Sequence, residues 1–349
     1  MRPADSNGRP APAPRPKVVA LGGGHGLHAS LSALRLMDVD VTAIVTVADD
    51  GGSSGRIRRE LPVLPPGDLR MALAALATGS LGRGADSVPW SMVLQHRMGG
   101  VGVLAGHPIG NLLLTGLMEL HGDAVSALRA VGDLVGARGT VLPMADRPLD
   151  LIAEVVSVDA DDAVRTRQIR GQSAIASTAG RVTSIRVIPR DPPACAAAVS
   201  AIEHADVVIL GPGSWFTSVI PHLLIPELAA ALAATRADVV TILNLVPQAG
   251  ETEGFSAEEH VRVLTAHCPQ MKVSAVIADS AAVADHAGLR EFTDGIGARL
   301  VIAPVADSTS VRHDPARLSR AVAEATRLAC GGRVADDAID NTSSSEGVR

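Results

Sequence analysis

Six short runs along the chain are apolar at nearly every position, and between them apolar residues recur at helical spacing. KVVAL (17–21), VTAIVTVA (41–48), DVVIL (206–210), DVVTILNLV (238–246), KVSAVIA (272–278) and RLVIAPV (299–305) lack the alternation of a strand with one wet face. Strands buried on both faces carry this pattern, and they belong to parallel sheets covered on both sides. HGLHASLSALRLM, DLRMALAALAT, GNLLLTGLMEL and DPARLSRAVAEATRLA show the 3.6-residue period of amphipathic helices. Strand and helix in alternation predict an α/β fold of the doubly wound kind. The rhythm breaks from about 138 to 190, where LIAEVVSV and RVTSIRVI read as strands with no long helix between them. A β-rich insertion is expected there.

The two ends carry no such pattern. Residues 1–16 are proline-rich and lack the apolar stretch of a signal peptide, and residues 331–349 are polar and serine-rich. Both read as disordered tails flanking a single domain over 17–330. No stretch is apolar and long enough for a membrane span. With 47% hydrophobic residues in 349, the chain can bury a sizeable core. Aromatic residues make up 1% with no Tyr, and the net charge is -6. Both facts argue against nucleic-acid binding, which relies on stacking surfaces and a basic face. Cys195, Cys268 and Cys330 are widely spaced and odd in number, matching neither a disulfide framework nor a zinc site. A reducing cytoplasm is the expected location.

Ligands of open α/β sheets bind outside the carboxyl ends of the strands, so the segment after each strand is the place to look. GGGHGL (22–27) follows the first strand. Its glycines let backbone approach a phosphate, and a helix N-terminus there adds roughly 0.3–1 kcal/mol for an anion. The dinucleotide pattern fails at Leu27, and no Gly-Lys-Ser/Thr follows for a Walker loop. His25 would face the ligand or be a turn residue. TVADDGGSSGRIRR (46–59) follows the second strand. Gly51, Gly52, Ser53, Ser54 and Gly55 offer donors to an anion and Arg56, Arg58 and Arg59 add charge, whereas Asp49 and Asp50 would repel it. A ligand with phosphates at one end and hydroxyls or a cation at the other reconciles the two halves; an acid-rich turn capping a helix is the simpler alternative.

Further along, Asp68 in PPGDLR stands at a helix start, as a cap or as a metal or hydroxyl contact. AGHPIGNLLL sets His107 and Asn111 around a turn. GPGSWFTSVIPHL gives a second small donor-rich turn at Gly211, Gly213 and Ser214, and two such turns suit a diphosphate or two ligands. NLVPQAGET gathers Asn244, Gln248, Glu251 and Thr252 at a strand end, where amides suit a base edge or a sugar.

Taken together, GGGHGL, TVADDGGSSGR, PPGDLR, AGHPIGNLL, GPGSWFTSVIPHLL, NLVPQAGETEGF and VRHDPARL resemble the YvcK family of gluconeogenesis factors, within the CofD-like superfamily. The resemblance implies a Rossmann-like three-layer sandwich that binds a UDP-sugar, notably UDP-N-acetylglucosamine. It also implies a regulator of carbon flow into cell-wall precursors and cell shape, acting without a required cofactor on a partner enzyme, and it leaves room for a homo-oligomer. By position it carries the pocket onto Gly23, Gly24, His25, Asp49, Asp50, Gly52, Ser53, Ser54, Asp68, His107, Asn111, Gly213, Ser214, Asn244 and Gln248. Position 25 is His where many members have Thr, and Trp215-Phe216 replaces Leu-Tyr. Phe292 stands for a nucleotide-stacking Tyr, and Arg312 for a phosphate-reaching arginine. The CofD branch implies a different activity, a transferase moving a phospholactyl-type group from a nucleotide diphosphate to a deazaflavin, with magnesium on Asp49 and Asp50. No residue is assigned a catalytic role on the regulator reading.

Overall fold

The structure is a computed structural model that describes residues 14–326 and 328, apart from 83, 159–163 and 249. The expected tail at 331–349, most of that at 1–16, and Cys330 lie outside the described residues. In chain order the strands of the two larger sheets are β1 (Lys17–Gly22), β2 (Asp40–Val45), β3 (Thr140–Pro143), β4 (Asp150–Val158), β5 (Val164–Arg170), β6 (Arg181–Ile188), β7 (Val207–Leu210), β8 (Asp238–Ile242), β9 (Ala275–Asp279) and β10 (Arg299–Ala303).

Seven of them form one parallel sheet in the order β3-β2-β1-β7-β8-β9-β10. Its central strands are sealed on both faces: all of β7 and β9 is buried, as is β1 beyond Lys17. That burial is why these runs show no alternation. Helices α1 (Gly24–Leu34), α3 (Pro66–Leu76) and α5 (Pro315–Thr326) cover one face, α1 packing on both of the others. The helices at Ala196–Glu203 and Pro226–Ala234 pack together, as do those at Ala257–His267 and His286–Gly295, and they form a second group. Two further helices matter to the site, α2 (Gly52–Glu60) and α4 (Ile109–His121). Among the described residues no single helix is long and apolar enough to cross a membrane.

The insertion is a three-stranded antiparallel sheet in the order β5-β4-β6, with the five-residue helix Gln172–Ala176 between β5 and β6. It starts later than the expected 138. Residues 140–143 pair with β2 as the edge strand of the main sheet, Thr42 opposite Thr140 and Val45 opposite Pro143. A four-residue edge strand ending in proline is too short to register as a hydrophobic run. Arg58 of α2 binds Asp150 at the root of β4 with Nη2 to Oδ1 at 2.9 Å, and Arg170 of β5 binds the other carboxylate oxygen. The insertion is thereby tied to the main body.

The chain runs outward from β1 through β2 to β3, and after the insertion returns to the other side of β1 as β7. Strand order reverses there, opening a crevice between the β1 and β7 carboxyl ends.

Candidate functional site

Two glycine turns meet at this switch point. Gly22 and Gly24 adopt φ of 159° and 55°, and Gly211 and Gly213 adopt 77° and 131°, conformations that exclude side chains at small cost only for glycine. A Cβ on Gly26 would collide with the Pro212 carbonyl oxygen, so the first turn of α1 lies directly on the turn after β7. No side chain caps α1, whose N-cap is Gly23. Of its first-turn N–H groups that of Gly24 donates to Asp68, and no N-cap side chain engages the others.

The crevice over these turns has a volume of about 520 Å³. His25, Gly213, Asn244, Gln248 and Arg312 line it together, from four separate segments of the sequence. His28 and Asp307 line it as well and were not singled out from the sequence. Arg312 is exposed; its carbonyl accepts from the Asp307 N–H at 2.7 Å, and its guanidinium has no hydrogen bond or ion pair among the described residues. Burial holds the His25 imidazolium below its ordinary pKa, and the Arg312 and Arg70 charges depress it further. Arg312 is the cation and Asp307 the acid of this lining, and burial disfavours the charged forms of His25 and His28. A larger cleft of about 640 Å³ opens between Lys17, Asp40 and His204 at the amino ends of the strands, away from every motif read above.

The amide cluster after β8 braces the turn after β7. Asn244 accepts from the Gly213 N–H and donates to the Gly213 carbonyl, both at 2.8 Å. Gln248 accepts from the Trp215 N–H at 3.3 Å and donates to Ser214 Oγ at 3.2 Å. Buried Glu251 accepts from the Phe216 N–H at 2.9 Å and the Thr217 hydroxyl at 2.7 Å. The donors of this turn are therefore largely occupied by the protein's own side chains, and the second anion turn expected at 211–214 is not an open one. Anion donors remain on α1 and Arg312.

A second cluster sits beside the first, joined to it through Gly23, where a Cβ would come within 2.7 Å of Asp68 Oδ2. Ser53 and Ser54 point inward. Asn111 Nδ2 donates to Ser53 Oγ at 2.9 Å, Ser53 lies 2.7 Å from His107 Nδ1, and Ser54 Oγ accepts from the Gly67 N–H at 3.0 Å. Ser53 Oγ thus accepts from Asn111 while pairing with His107 Nδ1. Burial, with Arg56 adding to it, depresses that ring's pKa. What α2 offers a ligand is its uncapped N-terminal backbone at Gly52 rather than its hydroxyls. Two of its arginines are engaged by the protein: Arg56 donates to the Ala105 carbonyl, and Arg58 to Asp150 and the Asp49 carbonyl.

Of the acids, Asp49 accepts from the Gly51 N–H at 3.0 Å and faces Asp68. Burial, and then the Asp49 charge, push the Asp68 carboxyl up to about 7, against the Gly24 N–H and Arg70. Asp68 Oδ2 is buried with no partner. Buried Arg70, which sequence reasoning passed over, is the neighbouring cation. Asp50 is directed elsewhere, its Oδ1 accepting from the Ser173 N–H of the insertion at 2.9 Å. The acids that face each other are thus Asp49 and Asp68, not Asp49 and Asp50. Among the described residues no three His, Cys, Asp or Glu side chains form a metal-ligand group. Magnesium, however, commonly takes only one or two carboxylates with waters and phosphates, and Asp49 with the orphaned Asp68 Oδ2 fits that need.

The insertion's short helix spans the adjoining loops. Besides Ser173 on Asp50, Gln172 Nε2 donates to the Thr217 carbonyl at 3.5 Å, and Gly250 packs against the Ala176 and Thr178 carbonyls. Phe292 is not brought to the crevice: it lies on the outer helix His286–Gly295 with the Arg262 guanidinium 4.9 Å from its ring centroid.

A family model described as 2-phospho-L-lactate transferase CofD matches residues 18–327. The "Putative gluconeogenesis factor" of Mycobacterium tuberculosis is 53% identical over 305 residues, covering 86% of this chain and 88% of that protein. The "Gluconeogenesis factor" of Listeria monocytogenes is 40% identical over 253 residues, covering 72% and 74%. A crystal structure of a UPF0052 family member from Bacillus halodurans superposes with a TM-score of 0.76 at 31% identity, over 89% of this chain and 99% of that one.

Proposed function

The chain belongs to the CofD family, in its gluconeogenesis-factor branch, and from that premise we propose that it is a cytoplasmic UDP-sugar-binding regulator, with UDP-N-acetylglucosamine as ligand. The observation that carries this reading is the 520 Å³ crevice at the switch point, where the uncapped α1 N-terminus and unpaired Arg312 meet neutral, hydrogen-bonding side chains. A diphosphate is held by Arg312 and the α1 N–H groups, which supply charge and donors, with Asp307 the one acid on the same lining. Gln248 and Asp307 line the same space and offer acceptors for sugar hydroxyls. The volume falls within the range of sites for ligands of this size. Bound sugar then reports the supply of cell-wall precursor to a partner enzyme, linking carbon metabolism to wall synthesis and cell shape.

Titration calorimetry tests it. Wild-type protein is expected to bind UDP-N-acetylglucosamine, and Arg312→Ala to lose about 1.5–3 kcal/mol, the range for hydrogen bonds to charged groups. Absence of heat at millimolar ligand with folded wild-type protein overturns the proposal. The transferase reading has one observation in its favour, the facing Asp49–Asp68 pair. Magnesium on that pair would supply charge stabilisation at a transferring phosphoryl group.

A further inference from the structure

Beside the crevice lies a second cavity of about 300 Å³, at the carboxyl ends of β8 and β9. The two share a wall, since Asn244, Leu245 and Val246 line both. Their chemistry differs. The second is walled chiefly by apolar side chains such as Leu243, Phe255 and Val283, and the acids on its lining, Glu258, Asp279 and Asp285, make it hostile to phosphate. Asp279 is already saturated by the N–H groups of Ala281, Val305 and Ala306, all at 2.8 Å.

One polar group in that wall has no partner. His260 is 5% exposed, and its Nδ1 lies 2.8 Å from the Ser256 carbonyl, which can only accept, so Nδ1 carries the proton. The ring is fixed edgewise between Trp215 and Phe255, with centroids 5.6 and 5.4 Å away. Nε2 is left as a buried lone pair with no hydrogen bond from the protein. Burial holds the imidazolium below its ordinary pKa, which keeps that lone pair available. A buried acceptor in a rigid aromatic frame is costly to leave unmade, and here its residue belongs to the lining of a cavity, with Nε2 itself just beneath the surface.

We propose that this cavity is a distinct subsite for a flat, uncharged heterocycle with a ring N–H, and that His260 Nε2 accepts that N–H. The inference rests on the nucleotide-sugar reading above and gives it a direction: phosphates toward α1 and Arg312, base toward His260. Arg312 with the α1 N-terminus at one end, and the acid-rimmed apolar cavity at the other, sort the two ends of one ligand.

Calorimetric titration with UDP and with N3-methyl-UDP, whose ring N–H is blocked, tests the assignment on wild-type protein and His260→Phe, each checked for folding by its melt. Wild type is expected to bind UDP about tenfold more tightly than the methylated analogue. His260→Phe should bring the two affinities together. Equal affinities in wild type, or a preference unchanged in the variant, overturn the subsite while leaving the nucleotide reading intact. Failure of folded wild type to bind either compound overturns both. Should the variant not fold, nitrogen-15 NMR of wild-type histidines decides: the Nε2 resonance of His260 should move upfield with UDP as it gains a hydrogen bond, and a fixed resonance overturns the assignment.

Discussion

Asp68 is the residue most exposed to a change of pH. Its carboxyl lies under the first turn of α1, accepting from the Gly24 N–H, and burial followed by Asp49 raises it to about 7. Unfolded, it titrates near the ordinary carboxylate value, so between about pH 4 and 7 the folded protein binds the extra proton. Stability contributed by the protonated acid is therefore complete below about pH 4 and is lost as pH rises through 7. Asp68→Asn mimics the protonated form and should hold its melting temperature across that window, whereas wild type falls relative to it by on the order of 3–4 kcal/mol, several degrees. Melts at half-unit steps from pH 4.5 to 8 check this, and parallel curves would contradict it. The sequence marks Asp68 as a residue at a helix start. That it serves α1 rather than its own helix depends on a contact 44 residues back, which local pattern does not encode. Asn244 and Gln248 behave alike: their clustering is legible, but their partners, 31 to 34 residues earlier on the turn after β7, are not.

Among elements, the insertion is where sequence and structure part most. Buried strands of the main sheet are legible because both faces are sealed. Edge strand β5 reads VRTRQIR, exposed almost throughout, and its pairing with β4 is set by a partner rather than by its own apolar residues. The same limit applies to Asp50. As an acid after β2 it reads as a ligand contact or a cap on the helix that follows; in the structure its partner is Ser173, 123 residues on. Removing an acid that caps a short helix costs about 0.5–2 kcal/mol. Asp50→Ala is expected to lose that much stability, and hydrogen exchange measured by mass spectrometry should rise over residues 171–178. Unchanged exchange together with loss of UDP-sugar binding would instead return Asp50 to the ligand. Because the Gln172–Ala176 helix also touches the loops after β7 and β8, loosening it exposes the flank of the crevice.

For the whole molecule, what separates a regulator from a transferase is what becomes of the ligand. Both belong to this superfamily, and the parallel sheet with its reversal beside β1 serves either. A transferase must hold an acceptor next to the breaking bond and gain contacts in the transition state that are absent in the ground state. A deazaflavin-sized acceptor calls for a broad aromatic platform, and the chain's two Trp and three Phe offer little: Trp215, Phe216 and Phe255 are buried, Trp90 is half-buried against the core, and Phe292 lies on an outer helix. A regulator needs only that ligand binding favour one state over another, by a coupling of typically 1–3 kcal/mol read out by its partner. The insertion, touching loops on both sides of the crevice, is suited to carry that difference. Prolonged incubation with UDP-N-acetylglucosamine and magnesium, followed by mass analysis, is therefore expected to return the sugar nucleotide intact. Protein-dependent release of UDP that Asp49→Asn and Asp68→Asn abolish would overturn the regulator reading and assign the acid pair to metal-assisted transfer.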